Sequence, residues 1–161
     1  MDNRPAPGVS APGFQLPNQH GEPVSLEGLR GSAVVLVFYP FAFSRVCTDE
    51  LDVLQSELGE FERHGARLLA ISTDSKYALR AYSDERGYTF DLLADFWPHG
   101  AVADRYGVLD ASLGHAGRAT FFLDQEGTLR SRIDAPPGQA RSFDDYRAAL
   151  GELAEAPVSR Q

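Results

Sequence analysis

The run Ala33-Val34-Val35-Leu36-Val37-Phe38-Tyr39 constrains the fold more than any other segment of this chain. It is unbroken in apolar residues, rich in β-branched ones, and bounded by Gly31 and Pro40. It falls far short of the ~20 residues that span a bilayer. The lack of polar alternation speaks against a strand with one wet face. Such a strand is covered on both sides, so the rest of the chain must supply layers above and below it. With 161 residues and an apolar share of 43 %, there is enough material for one core of this kind.

The flanking patterns supply those layers. Phe14-Gln15-Leu16 and Pro23-Val24-Ser25-Leu26 read as short strands about an Asn18-Gln19-His20-Gly21 turn. From Cys47 to His64, Leu51, Leu54, Leu58 and Phe61 recur at steps of three and four, the stripe of a helix. Ser44 stands upstream as its cap, with Asp49 and Glu50 expected in the first turn, where acid suits the helix dipole. Arg67 to Ser72 reads as a strand, Ser75 to Arg86 as a helix closed by Gly87, and Asp91 to Ala94 as a strand. A short helix is expected over His99 to Tyr106. Thr120 to Leu123 and Thr128 to Ile133 flank Asp124-Gln125-Glu126-Gly127, a hairpin signature, and a last helix covers Ser142 to Ala154. Strands alternating with helices make an α/β layer fold. No repeat or linker divides the chain, so it reads as one domain over residues 1–161, with flexible ends at about 1–10 and 156–161.

Fifteen basic residues against 23 acidic ones leave a net charge of −8. That sign opposes binding to nucleic acid or to anionic membrane surfaces. The opening Met1-Asp2-Asn3-Arg4-Pro5 carries no apolar leader, and a lone cysteine cannot form an internal disulfide. A reducing, cytoplasmic setting is the expectation. His20, His64, His99 and His115 are scattered, and no zinc-ligand spacing or phosphate-binding glycine loop is present, so neither metal nor cofactor is expected.

The chemistry concentrates between Tyr39 and Glu50. Counting back from Leu51 and Leu54 puts Cys47 on the buried stripe, at the amino end of a helix that follows the central strand. The thiolate is the reactive form of cysteine. Unpaired N–H groups and the positive end of a helix favour that anion. Ser44, three residues earlier, brings a hydroxyl to the sulfur or its substrate, and Pro40 stiffens the exit from the strand and screens the site from water.

Pro40-x-x-x-Ser44-x-x-Cys47 resembles the active-site pattern of the peroxiredoxins, in which Pro, Thr or Ser, and Cys hold these positions. Ala11 to Phe14, Leu26 to Gly31, and Arg118-Ala119-Thr120-Phe121-Phe122-Leu123-Asp124 are similar to further family segments, so the likeness runs from about Ala11 to Leu150. Asp95-Phe96-Trp97-Pro98-His99-Gly100-Ala101-Val102 and Tyr106-Gly107-Val108 look most like the one-cysteine, alkyl hydroperoxide reductase E subgroup. The resemblance implies a thioredoxin-like fold, a central mixed β-sheet flanked by helices, and a thiol-dependent peroxidase acting on hydrogen peroxide and organic hydroperoxides. It implies that Cys47 attacks the peroxide and becomes a sulfenic acid. Arg118 would stabilise the charge, Ser44 and the Cys47 N–H would hold the peroxide, Pro40 would shield the sulfur, and Glu50 would order the Arg and loop network. Ser44 stands where Thr is commoner, which keeps the hydroxyl but loses the methyl that restrains it. Gly13 stands where Asp is frequent.

Phe41, Phe43, Phe96 and Trp97 are candidates to line an apolar pocket beside Cys47, with core packing as the plain alternative for Phe96, Trp97 and Tyr106. The same aromatic patch would suit a homodimer contact. With no second cysteine, the reductant is external; the resemblance implies mycothiol with mycoredoxin, or an equivalent small thiol or thioredoxin-type protein. A thiol–disulfide oxidoreductase needs Cys-x-x-Cys, and the positions three either side of Cys47 are Ser44 and Glu50. A Cys-His hydrolase would leave Arg118 unexplained. A redox sensor that is oxidised once and passes the change to a partner is the alternative outside enzymology.

Overall fold

The computed structural model describes residues 4–136 and 138–155, with side chains through residue 153. Of the flexible ends expected at about 1–10 and 156–161, residues 1–3 and 156–161 lie outside the described residues. The chain runs β1 (Gln15–Pro17), β2 (Pro23–Ser25), a 3-10 turn (Glu27–Leu29), β3 (Ala33–Phe38), α1 (Arg45–Ser56), α2 (Leu58–Arg63), β4 (Ala66–Ser72), α3 (Lys76–Arg86) and β5 (Asp91–Ala94). It continues through α4 (Ala101–Arg105), β6 (Leu109–Asp110), β7 (His115–Ala116), β8 (Arg118–Leu123), β9 (Leu129–Ala135) and α5 (Phe143–Glu155).

Five strands form one sheet in the order β5-β4-β3-β8-β9. The β3–β4 and β4–β5 pairs are parallel, and the β3–β8 and β8–β9 pairs antiparallel. The apolar run is the middle strand, and all six residues of β3 are buried. Its side chains divide by parity, as the two-residue period of a strand requires. Val35, Val37 and Tyr39 pack with Leu51, Leu54, Phe61, Leu79 and Leu150 of the helices. Val34, Leu36 and Phe38 pack on the opposite face with Phe14, Leu16, Val102 and Tyr106. Each buried side chain of this size contributes ~1.5–3 kcal/mol, so this one strand anchors both layers.

Local chemistry sets the boundaries. Ser75 Oγ accepts from Ala78 N at 3.2 Å to cap α3, and Gly87 closes it in the left-handed conformation at φ 75°. The β8–β9 hairpin turns on Asp124, whose Oδ1 accepts from Glu126 N at 2.9 Å and Thr128 N at 3.0 Å. Residues 8–11, which overlap the amino end expected to be flexible, are hydrogen-bonded along this hairpin: Gly8 N to Leu129 O at 2.8 Å, Leu129 N to Val9 O at 2.9 Å, and Ala11 N to Gly127 O at 2.9 Å.

Three local expectations are corrected. The helix expected from Cys47 to His64 is two helices that meet at Glu57. Ser56 Oγ donates to Val53 O at 2.8 Å, a local bond that competes with the helical ladder, and Gly59 follows. Because α1 begins at Arg45, Asp49 and Glu50 fall beyond its first turn, and Glu50 lies on the buried face with Cys47. The helix expected over His99 to Tyr106 is shorter, Ala101–Arg105. Its start is fixed by buried Asp95, whose carboxylate accepts from Val102 N at 3.1 Å and Ala103 N at 2.8 Å.

Candidate functional site

The site lies where β3 ends. Phe38 is in register with Ala119, so Arg118, the first residue of antiparallel β8, stands beside the point where the chain leaves for Pro40 and Ser44. Three residues into α1, Cys47 turns inward and has no exposed surface. Its N–H lies in the first turn, where helix geometry offers no carbonyl four residues back. Arg118 Nη1 reaches Cys47 Sγ at 3.4 Å and Glu50 Oε1 at 2.7 Å. Thus the strand, the loop and the helix bring Pro40, Ser44, Cys47, Glu50 and Arg118 together.

Ser44 occupies the cap position of α1 but makes no capping bond with its side chain. Its hydroxyl is buried, and neither it nor Arg118 Nε has a hydrogen-bond partner among the described residues. Buried polar atoms of this kind are costly, and in native proteins they call for an explanation. Both belong to residues that line a cleft of about 550 Å³ together with Pro40, Phe41 and His115. Of the aromatic residues expected to line a pocket, Phe41 alone does so. Phe43 leans on Tyr82, with ring centroids 4.7 Å apart. Phe96 is 51 % exposed and Trp97 80 %, and neither lines the cleft or packs in the core. Tyr106 is core, its hydroxyl donating to Pro12 O at 2.7 Å.

The sequence reading missed one member of the cluster. Arg141 is buried, donates to Glu50 through its backbone N–H and its guanidinium, and reaches Phe38 O at 2.9 Å and Thr120 Oγ1 at 3.1 Å. Thr120 Oγ1 is in turn 2.7 Å from Tyr146 OH. Burial pushes the Glu50 carboxyl up, but the hydrogen bonds and charge of Arg141, joined by the charge of Arg118, outweigh it and hold the group below its ordinary value. Burial drives the Tyr146 phenol up. Two guanidiniums share one carboxylate here, so the buried cluster carries a net positive charge beside the sulfur. An anion at that sulfur neutralises it. The only sequence signal for Arg141 is an arginine at the start of the last helical pattern, a place where such residues are ordinarily solvated.

Among the described residues, no three His, Cys, Asp or Glu side chains converge as a metal ion would need, and no helix is long and apolar enough to cross a membrane.

With this geometry in place, the comparisons are informative. Residues 7–132 match the model of the AhpC/TSA family. The chain is 42 % identical to alkyl hydroperoxide reductase E of Mycobacterium tuberculosis over 147 residues, covering 91 % of this chain and 96 % of that protein. Among solved structures, peroxidoxin BcpB of Mycobacterium tuberculosis is 30 % identical with a TM-score of 0.82, covering 94 % of this chain and 98 % of the other. AhpC of Enterococcus faecalis is 27 % identical with a TM-score of 0.83, covering 96 % and 98 %.

Proposed function

The chain belongs to the AhpC/TSA family of peroxiredoxins, and on that premise we propose that Cys47 is the residue with which it performs its thiol-dependent reduction of hydroperoxides. The observation that carries this reading is the single sulfur held 3.4 Å from a buried guanidinium in a cluster of net positive charge.

The Cys47 thiolate attacks the terminal oxygen of the hydroperoxide. The S–O bond forms as the O–O bond breaks, and the departing oxygen takes a proton to leave as water or an alcohol, with the sulfur now a sulfenic acid. Arg118 stabilises the thiolate and the negative charge that grows on the oxygens. Ser44 Oγ and Arg118 Nε, both without partners among the described residues, are available to those oxygens, as is the Cys47 N–H. Pro40, on the cleft wall, limits water at the sulfur. Glu50 orders the two arginines and takes no proton itself.

Cys47 is the one cysteine of the sequence, so the sulfenic acid is reduced from outside. A first thiol displaces the hydroxyl as water and forms a mixed disulfide; a second restores the thiolate. We propose a small thiol such as mycothiol, or a mycoredoxin- or thioredoxin-type protein, in keeping with the mycobacterial relative. A free thiol suits a reducing, cytoplasmic setting. The exposed Phe96, Trp97 and Leu113 suit the contact of a homodimer.

The test is Cys47→Ser. Peroxide consumption with a recycling thiol should vanish while circular dichroism and the melting temperature stay near those of the parent. Retained turnover would remove Cys47 from the mechanism.

A further inference from the structure

A sulfur with no exposed surface, in a chain with no second cysteine, faces two opposing demands. Ser44 and Arg118 must be held about it while the peroxide reacts, yet an external reductant must afterwards reach the same atom. The segment between Pro40 and Ser44 bears on both, because it carries Ser44 and leads straight into the first turn of α1.

That segment is strained. Phe43 has φ 69°, left-handed backbone that a residue with a bulky side chain rarely adopts. Such a conformation persists only where its surroundings impose it. Phe43 packs on Tyr82 from one side, and Asp74 holds the residue before it. The Ala42 N–H donates to Asp74 Oδ2 at 2.8 Å, and the same oxygen accepts from Ser72 Oγ at 2.7 Å. The Asp74 N–H contacts Ser72 Oγ at 3.3 Å, which fixes the carboxylate's aim. Asp74 sits between β4 and α3, so it belongs to neither the element that carries Cys47 nor the one that carries Arg118. A half-buried carboxylate thus ties the strained loop to the frame of the sheet by a charge-assisted bond.

We propose that Asp74 is a positioning residue of the reaction: it holds the loop in the register that sets Ser44 and Cys47 against Arg118, and its release exposes the sulfur to the reductant. This rests on Cys47 being the reacting cysteine. The two half-reactions are then affected in opposite directions, which general damage to the fold does not produce.

The experiment measures each half-reaction on the full chain in single turnover. Reduced protein is mixed with hydrogen peroxide and sulfenic acid formation is followed; separately, preformed sulfenic acid is trapped with dimedone, whose carbon bonds to sulfur as the hydroxyl leaves. Asp74→Ala should slow oxidation by about 10- to 100-fold, the cost of misplacing reacting groups by around an ångström. It should also accelerate trapping several-fold. In Asp74→Asn one side-chain oxygen can still accept both bonds, so oxidation should return to near the parent rate. Ser72→Ala, which frees the carboxylate without removing it, should shift both rates in the same directions as Asp74→Ala and serves if that variant does not fold. The proposal is overturned if Asp74→Ala changes neither rate or slows both, or if Asp74→Asn is as slow as Asp74→Ala. Failure of the parent chain itself to be oxidised would sink the peroxidase reading instead, so the two failures are distinct.

Discussion

Arg141 closes on Glu50 across 91 residues of sequence, with its backbone N–H and Nε on Oε2 at 2.7 and 2.8 Å and its Nη2 on Oε1 at 3.0 Å. The same carboxylate receives Arg118 at 2.7 Å, so one buried acid organises both guanidiniums near the sulfur. Opening this cluster is costly because the charges that remain stay in the interior.

Arg141→Ala should therefore destabilise the chain by about 3 kcal/mol, the low end of the range for breaking a buried pair, because Arg118 still partners Glu50. Urea unfolding at neutral pH measures the loss. A change within the scatter of a surface substitution would show the bond network to be unimportant for stability.

The pH dependence of stability should carry the signature of Glu50. Its folded carboxyl titrates below the ordinary value, so its contribution is complete above the unfolded value of about 4.3 and is lost as pH falls through the lower, folded one. The gap in urea midpoint between the parent and Glu50→Gln should be widest near neutrality and narrow in acid below about pH 4. A gap that widens on acidification contradicts the depressed titration.

Arg118→Lys keeps a positive charge but loses the planar guanidinium, whose Nη1 reaches both sulfur and carboxylate and whose Nε is the donor left for the peroxide. Single-turnover oxidation by hydrogen peroxide should slow by roughly 100-fold, in line with loss of one oriented donor at a developing anion. A rate within a factor of about 3 of the parent would reduce Arg118 to an ion-pair partner of Glu50.

Phe41, 43 % exposed on the cleft wall, should matter only to substrates with an organic part. Phe41→Ala should lower the second-order rate for cumene hydroperoxide about fivefold, equivalent to ~1 kcal/mol of lost apolar contact. The rate for hydrogen peroxide should not change. Parallel falls for both substrates would mean that Phe41 supports the loop rather than the substrate.

Local pattern was enough to place the main elements of this protein and the cysteine among them. The unbroken run through Phe38 marked the central strand, because only a strand buried on both faces lacks polar alternation. The spacing of Leu51 and Leu54 put Cys47 on the inner face of a helix start, while the peroxide chemistry was implied by the likeness of Pro40, Ser44 and Cys47 to the peroxiredoxin pattern. These are near-neighbour relationships, and a helix or strand imposes them wherever it forms.

Tertiary structure decided how the distant charges meet beside the sulfur. Glu50, expected in the first turn and, by resemblance, in the Arg and loop network, lies beyond that turn and is buried between Arg118 and Arg141, 68 and 91 residues away. Arg141 carried no signal in the sequence beyond its place before the last helix, and Phe96 and Trp97, candidates for pocket wall or core, are exposed and do not line the cleft. No periodicity reports which distant charges share an interior. That depends on the antiparallel register of β8 against β3 and on where α5 begins, and there the burial of charge selects its partners.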